Sequence, residues 1–355
     1  MRKIVFIGGL NLGNNPRGGE EAKNQKLFFY LKALDKAVCI IDTHNWRSRL
    51  FKILLGLIRH VLLKKERKII ISISDESAYK LIRFLNIFDS FKRNDGYYFV
   101  IGGDFTNLLH HNTNRIKLYT SLKGIYPESK KMLLECKNMG LSQAYQIPNF
   151  RKIPKIFPKK NTPHDGVTRF IYFSRLTPEK GLDISIEACY RLNKEMLGND
   201  FEVHFYGFFD EKADDYKNNF TNQLKDLPNV AYLGFLDVNT PSGFKKLSEY
   251  DMLIFPTYWP HEGYPGTLID TLSAGIPAIA SDWNYNTEII EDAYNGLIIK
   301  PKCVESLVDK MRNIISNPHQ LSKMSKNAYK SSKSYDISDL MSKTILKKKI
   351  KICVW

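Results

Sequence analysis

The sequence has few cysteines, and none is close enough to another to work with it. The five, Cys39, Cys136, Cys189, Cys303 and Cys353, are odd in number and form no CxxC. That spacing excludes a zinc ribbon and a disulfide framework, and reads as isolated thiols in a reducing compartment. Long apolar runs are missing too: no stretch reaches the roughly 20 residues that span a bilayer. The opening MRKIVFIGGL has too short an apolar run for a signal peptide and ends in Gly-Gly, so it reads as a first β-strand. The expected location is cytoplasmic. No GxSxG elbow occurs, which points away from a serine hydrolase. The glycine-containing stretch after the first strand, NLGNNPRGGEEAKNQ (11–25), lacks the GK[ST] of a phosphate loop and is not GxGxxG. There is no DxD metal motif, since Asp214-Asp215 sits in a charged, solvated segment, and the histidines show no metal-ligand spacing. No metal site is expected.

Acidic residues are in short supply. Against 53 Lys and Arg stand 37 Asp and Glu, a formal net charge of +16. This balance favours anionic partners: nucleotides, phospholipid surfaces or nucleic acid. The excess is uneven, with residues 1–150 carrying +13 of it. Its extreme is Arg47–Lys68, RSRLFKILLGLIRHVLLKKERK, with eight basic residues and one acid among Leu, Ile, Val and Phe. The pattern suits a basic amphipathic helix on an anionic membrane surface. It equally suits a domain helix with an apolar core face and solvated charges. The C-terminal KKKIKICVW offers a second basic anchor or a frayed end.

A chain of 355 residues is too long for one typical core and suits two domains. Short apolar, β-branched runs alternate with helical patterns. Strands are expected at Lys3–Ile7, Ala37–Ile41, Lys68–Ser72, Tyr97–Ile101 and Gly124–Tyr126, and again at Arg169–Phe173, Phe201–Tyr206, Val230–Gly234, Met252–Phe255, Ala278–Ala280 and Gly296–Ile298. Helices fall between them, for example at Glu20–Leu34, Ser77–Phe84, Leu182–Asn193 and Val304–Ser316. Continuous β-branched runs are the mark of parallel strands buried on both faces. The βαβα order predicts α/β architecture: two Rossmann-like, doubly wound parallel sheets facing an interdomain cleft. The proline-rich stretch around residues 151–167 reads as a linker between domains at 1–150 and 168–335, leaving 336–355 as a basic helix or tail.

Chemistry concentrates in two stretches of the second domain. In PHEGYPGTLIDTLSAG (260–275), a proline-glycine loop follows a buried strand and runs into a helix. A helix start entered through glycines exposes free amides and attracts phosphate. Gly263 and Gly266 let a ligand approach the backbone, and Pro265 stiffens the turn. Tyr264 lies between them, and Thr267 is positioned to cap the helix. Glu262 can accept hydrogen bonds from hydroxyls. Asp270 falls in the first helical turn, either as a charge that suits the helix dipole or as a second hydroxyl acceptor. A carboxylate on each side of a phosphate seat matches a nucleotide sugar: ribose, diphosphate, hexose. The other stretch, FSRLTPEKG (173–181), follows the domain's first strand and turns Arg175 and Lys180 toward one anion. Tyr258 and Trp259 either line the same pocket or pack the loop. DWNYNTE (282–288) is expected to cap the next helix through Thr287 or Asn286.

SRLTPEKG (174–181), HEGYPGTLIDTLSAGIPAIASD (261–282) and NGLIIKP (295–301) together resemble the nucleotide-binding half of a retaining GT-B glycosyltransferase of family 4. The resemblance implies that Arg175 and Lys180 hold the donor diphosphate and Glu262 the donor hexose. It implies a ribose role for Asp270, which is one methylene shorter than the family's usual Glu. Glu262, Arg175 and Lys180 are then the catalytic candidates. More loosely, Gly18-Gly19 resembles the family's glycine loop, which approaches donor phosphate or acceptor. Gly103 and Asp104, at a strand end in IGGDF (101–105), are acceptor candidates, while His110 and His111 fall on a neighbouring helix.

The implied activity is metal-independent, retaining transfer of a sugar from a UDP- or GDP-linked donor, with no cofactor, to a saccharide or lipid-linked saccharide. The implied setting is bacterial surface polysaccharide assembly (O-antigen, capsule or lipopolysaccharide), peripheral on the inner face of the cell membrane. The competing readings are a nucleotide-sugar epimerase or inverting transferase of the same fold, and a basic nucleic-acid-binding protein. The last would call for basic-aromatic stacking platforms, whereas the aromatics here sit in core-like runs, so no nucleic acid is expected.

Overall fold

The computed structural model describes residues 3–14, 16, 18–34, 37–110, 112–158, 166–195, 200–209 and 214–343. The chain forms two units, Met1–Arg151 with Ile337–Trp355, and Lys152–Asp336. Each is an α/β unit built on a single parallel sheet.

The first sheet comprises β1 (Ile4–Gly8), β2 (Cys39–Asp42), β3 (Lys68–Ser72), β4 (Asp95–Phe99) and β5 (Gly124–Tyr126). Its order is β2-β1-β3-β4-β5, with every pairing parallel. All five residues of β1 and of β3 are buried, which is why their centres are continuous apolar stretches and not alternating ones. β4 starts two residues before the expected Tyr97, because Asp95 and Gly96 already pair with Lys68 and Ile69. It ends before Ile101, as the chain leaves the sheet toward Gly102 with φ at +101°.

Three helices of this unit matter below: α1 (Gly19–Leu34), α2 (Trp46–Leu57) and α3 (Asp75–Ile87). The stretch expected as one amphipathic helix over Arg47–Lys68 is shorter and composite. α2 passes into a π turn, Ile58–Leu62, and Lys68 is a buried strand residue in register with Ile4. Strand pairing there overrides the helical pattern.

The second sheet comprises β6 (Thr168–Phe173), β7 (Phe201–Tyr206), β8 (Val230–Tyr232), β9 (Met252–Phe255), β10 (Ala278–Ser281) and β11 (Gly296–Ile299), in the order β11-β10-β9-β6-β7-β8. Helix α4 (Leu182–Glu195) follows β6, and α5 (Gly266–Ser273) follows β9. Phe170, Tyr172, Leu182, Ile186, Phe205 and Ile254 meet in this unit's core.

Near its end the chain rejoins the first unit. Helix α6 (Ile337–Lys343) sets Ile337 and Met341 into a core with Phe28 and Phe150, and the Ile337 N–H donates to the Arg151 carbonyl at 2.8 Å. The segment expected as a basic tail thus begins as an apolar-faced helix, with Ile337, Leu340 and Met341 at helical spacing. KKKIKICVW lies outside the described residues. Among the described residues no helix is long and apolar enough to cross a membrane.

Candidate functional site

In the second sheet the chain runs from β6 outward to β7 and β8, then returns to add β9 on the other side of β6. Ligands of open α/β sheets bind beyond the carboxyl ends of the strands at such a reversal. The two motif loops meet there. Ser174–Gly181 leaves β6, and Pro256–Pro265 leaves β9.

The loop after β6 is tied from below. The buried Tyr172 hydroxyl lies 3.1 Å from the carbonyls of both Arg175 and Lys180, donating to one at a time. Burial pushes this phenol well above its ordinary pKa and keeps it a donor. Gly181 closes the turn at φ +80°, where a Cβ would stand 2.4 Å from the Pro256 carbonyl oxygen. Only glycine lets the β6 loop lie this close to the β9 loop. The loops are joined further by Tyr258 N–H donating to the Glu179 carbonyl at 2.8 Å.

Across this seam Lys180 Nζ bonds Glu262 Oε2 at 2.5 Å, with both side chains about nine-tenths buried. Thr257 Oγ1 donates to the same oxygen at 2.8 Å. Among the described residues both donors fall on Oε2, and Oε1 accepts from neither. Burial lowers the Lys180 pKa; the Glu262 charge and hydrogen bond oppose the shift, and Arg175 adds to it. Only one of the ammonium's three N–H bonds is directed at Glu262. Arg175 is exposed, its guanidinium stacked 5.1 Å from the Trp259 ring centroid. Trp259 is held in turn by Trp283 Nε1, which donates to its carbonyl at 2.7 Å, and Asn284 Nδ2 donates to the Glu262 carbonyl at 2.9 Å.

Helix α5 starts at Gly266 with Pro265 as its N-cap, and Pro265 supplies no side-chain cap. This corrects the expected cap: Thr267 is the second residue inside the helix. The φ of −67° that proline brings suits the position, and it starts the helix earlier than a threonine cap would. The first-turn amides thereby receive no side-chain acceptor from the N-cap position. Asp270 lies in the second turn, beyond the expected first one, and is half-buried. Gly263 is half-buried in the loop, while the Tyr264 side chain turns inward, its hydroxyl 3.3 Å from that of Tyr335. Asn286 caps no α-helix. It opens a 3-10 turn, Asn286–Glu288, and its buried amide donates to the Ser281 carbonyl at 3.0 Å.

One feature of this edge escapes a reading along the sequence. Phe208, after β7, and Phe235, after β8, stack with centroids 4.4 Å apart and planes 17° from parallel, and both remain exposed. They adjoin the β6 loop, because Leu176 N–H donates to the Phe208 carbonyl at 2.9 Å and Gly207 N–H to the Gly234 carbonyl at 2.9 Å. The only signal was an aromatic just past each of two strand ends, which gains meaning once β7 and β8 are known to be neighbours.

The first unit reverses between β1 and β3. Gly19 opens α1, and Gly18 lines a pocket of about 360 Å³ with Gly9, Glu20, Glu21, Thr43 and His44. His44 Nδ1 and Glu21 Oε1 are 2.9 Å apart. The Glu20 carboxyl is pushed up to about 7, first by burial and then by the Glu21 charge, against hydrogen bonds from the Gly9 and Ser74 backbone and the charge of Lys23. Nearby Asp75, the first residue of α3, accepts from the Tyr98 hydroxyl at 2.7 Å and is raised by burial to about 7. Gly103 and Asp104 precede the short helix Phe105–Leu109, both half-buried, and the Asp104 charge adds to the rise at Asp75. His110 stands just past that helix, not on it, and is exposed; His111 lies outside the described residues. Among the described residues no three His, Cys, Asp or Glu side chains gather as a metal site.

The sequence model of the glycosyl transferases group 1 matches residues 152–331. The chain belongs to that family, and its architecture is GT-B: two Rossmann-like α/β domains, each on a parallel sheet. The poly(ribitol-phosphate) alpha-N-acetylglucosaminyltransferase of Staphylococcus aureus is 23% identical over 189 residues, 52% of this chain and 36% of the relative. The amylovoran biosynthesis glycosyltransferase AmsK of Erwinia amylovora is 29% identical over 132 residues, 36% of this chain and 31% of its own. The matches thus span about a third of these curated relatives' length. Among solved structures, Anabaena HepE in complex with UDP and glucose has a TM-score of 0.69 at 16% identity, over 99% of this chain and 100% of that one. Sucrose-phosphate synthase of Thermosynechococcus elongatus reaches 0.76 at 13% identity, over 99% of each chain. At such identities the likeness is one of fold.

Proposed function

We propose that this glycosyltransferase moves a sugar from a nucleotide sugar to a saccharide or lipid-linked saccharide, with retention of configuration and without a metal ion, as a member of family 4. The observation that carries the reading is the seam at the reversal of the second sheet. There Arg175, the Lys180–Glu262 pair and the uncapped start of α5 converge at the ends of two adjacent strands. Arg175 and the α5 amides suit a diphosphate, one as a planar fork and the other as a row of fixed donors. Lys180 has two N–H bonds left for phosphate or sugar oxygens. Glu262 Oε1 takes a hexose hydroxyl, Asp270 the ribose, and the Phe208–Phe235 pair offers a face for the base.

In the transfer step the bond between the anomeric carbon and the leaving phosphate oxygen breaks. The acceptor oxygen bonds that carbon on the same face, and its proton passes to the leaving phosphate. Arg175, Lys180 and the α5 amides stabilise the charge that develops on that phosphate. The Gly18 pocket of the first unit is lined by the Glu20 and Glu21 carboxyls, which hydrogen-bond hydroxyls and offer phosphate no positive charge. It therefore suits the acceptor better than the donor, along with Gly103 and Asp104. The UDP in HepE and the biosynthetic names of the relatives support a UDP-sugar, with GDP as the other candidate, and a role in bacterial surface polysaccharide assembly. A peripheral position on an anionic membrane completes the reading, and the cations of Arg47–Lys68 support it.

A thermal-shift panel of UDP- and GDP-sugars tests the site. The true donor at about 100 times its Kd adds roughly 2.7 kcal/mol of stability, and Arg175→Ala abolishes the shift. With the matched donor, Glu262→Ala stays folded and loses transfer. Full transfer by Glu262→Ala, or a panel in which no nucleotide sugar stabilises the wild type, overturns the reading.

A further inference from the structure

The first unit carries a surface that the sugar chemistry does not use. Helix α2 touches its own unit along one stripe, Ile53, Gly56, Leu57 and, into the π turn, Val61. At Gly56 a Cβ would lie 3.3 Å from Ile41 Cγ1, so the helix backbone is close to β2. A second stripe of large apolar side chains, Leu50, Phe51, Leu54, Leu55 and Ile58, runs beside the first at the i, i+1, i+4, i+5, i+8 spacing of one helical face. All five are exposed, Phe51 by 73%. On the far flank of this stripe lie Lys52 and Arg59, two turns apart and exposed, and Lys64 and Lys65 follow the π turn, also exposed.

We propose that this face docks on an anionic lipid bilayer, with α2 lying in the membrane plane, its second stripe sunk among the acyl chains and Lys52 and Arg59 at the headgroups. This rests on the membrane setting proposed above and not on the sugar chemistry. Charge selects the occupant. Exposed apolar side chains packed this densely call for a cover. A second copy of the chain would set Lys52, Arg59, Lys64 and Lys65 against the same cations, in a unit whose first 150 residues already carry a net charge of +13. An anionic bilayer satisfies both halves at once, hydrocarbon for the stripe and phosphates for the flank.

The test is flotation of the full chain with phosphatidylcholine vesicles and with phosphatidylcholine–phosphatidylglycerol vesicles, alongside light scattering for mass. The wild type should float with the anionic vesicles and be released by salt. Phe51→Ser/Leu55→Ser, both at exposed positions, should weaken partitioning about tenfold or more. Lys52→Gln/Arg59→Gln should weaken it about thirtyfold. A wild type that ignores anionic vesicles overturns both this face and the membrane setting. Binding unchanged in the Phe51/Leu55 variant overturns the face and leaves the setting standing, and a Phe51-dependent dimer overturns it in favour of a second copy. The nucleotide-sugar thermal shift on the same samples reports separately on the sugar reading.

Discussion

Replacing Lys180 with Met measures how firmly the seam between the β6 and β9 loops depends on its ion pair. The change keeps an unbranched side chain out to the ε-carbon and removes the charged ammonium. Glu262 then remains about nine-tenths buried, with the Thr257 hydroxyl at 2.8 Å as its hydrogen-bond donor. Removing one partner of a buried pair costs about 3–5 kcal/mol, because the other charge stays desolvated. Thr257 covers Oε2 and Oε1 remains open to a ligand or water, which places Lys180→Met at the low end, about 3 kcal/mol. Removing both charges in Lys180→Met/Glu262→Gln leaves no buried ion and should cost about 1 kcal/mol or less. The pair's coupling is then about 2 kcal/mol or more, outside what independent sites show. Urea unfolding of the full chain, followed through Trp259 and Trp283 beside the pair, reads these numbers. With a slope of about 1–3 kcal/mol/M, the single variant should lower the midpoint by about 1 M or more. A Lys180→Met midpoint within about 0.2 M of wild type, or single costs that simply add in the double variant, would refute the reasoning.

Two further predictions concern stability. The Asp75 carboxyl is raised from its ordinary 3.8 to about 7 by burial, so the folded chain holds a proton there that the unfolded chain releases. Its contribution is fully favourable below pH 4 and is lost as pH rises through 7. Asp75→Asn mimics the protonated carboxyl and keeps an acceptor for the Tyr98 hydroxyl. It should therefore match wild type near pH 4 and exceed it at pH 8 by on the order of 4 kcal/mol. Urea midpoints at the two pH values check this, and an advantage that does not grow with pH contradicts it. At the seam between the β6 and β9 loops, Gly181→Ala forces a Cβ into the left-handed region at φ +80°, 2.4 Å from the Pro256 carbonyl oxygen. The expected loss is about 3 kcal/mol or more, with weaker nucleotide binding as the β6 loop shifts. An unchanged melting temperature would show that the loops are not pressed together there.

The strands were legible because parallel strands buried on both faces must be continuous apolar runs, and IVFIG, KIIIS and MLIF are such runs. Their ends were less so: the Tyr97–Ile101 run marks burial, while hydrogen bonding with β3 decides where β4 begins. At α5 a general preference for Thr caps gave way to the local geometry of Pro265-Gly266. The motif loops could be found in the sequence, but not what Lys180 and Glu262 do to each other. They are 82 residues apart, and read singly each calls for a ligand oxygen or hydroxyl as partner. Their 2.5 Å contact requires β9 to lie against β6, a fact of strand order. The Phe208–Phe235 stack was hidden for the same reason, and α6 because its core partners lie almost the whole chain away.

That pairing bears on how the proposed transfer would run. In the donor pose proposed above, with Lys180 set against Glu262, the charges that would face an incoming diphosphate are the exposed Arg175 and the partial charge of the α5 amides. This is enough to seat a diphosphate whose charge is partly capped by its sugar. When the glycosidic bond breaks, the new negative charge falls on the leaving phosphate oxygen, where stabilisation accelerates the reaction rather than only the binding. Lys180 is the group suited to respond. Its ammonium is paired with Glu262 in a buried seam, and among the described residues two N–H bonds remain for the oxygen that needs them. Arg175 would then act chiefly in donor affinity and Lys180 chiefly in turnover. The physical difference between them is burial: in the proposed pose the exposed guanidinium would meet substrate and product alike, and the buried ammonium, in a medium of low dielectric, would weigh most where charge appears.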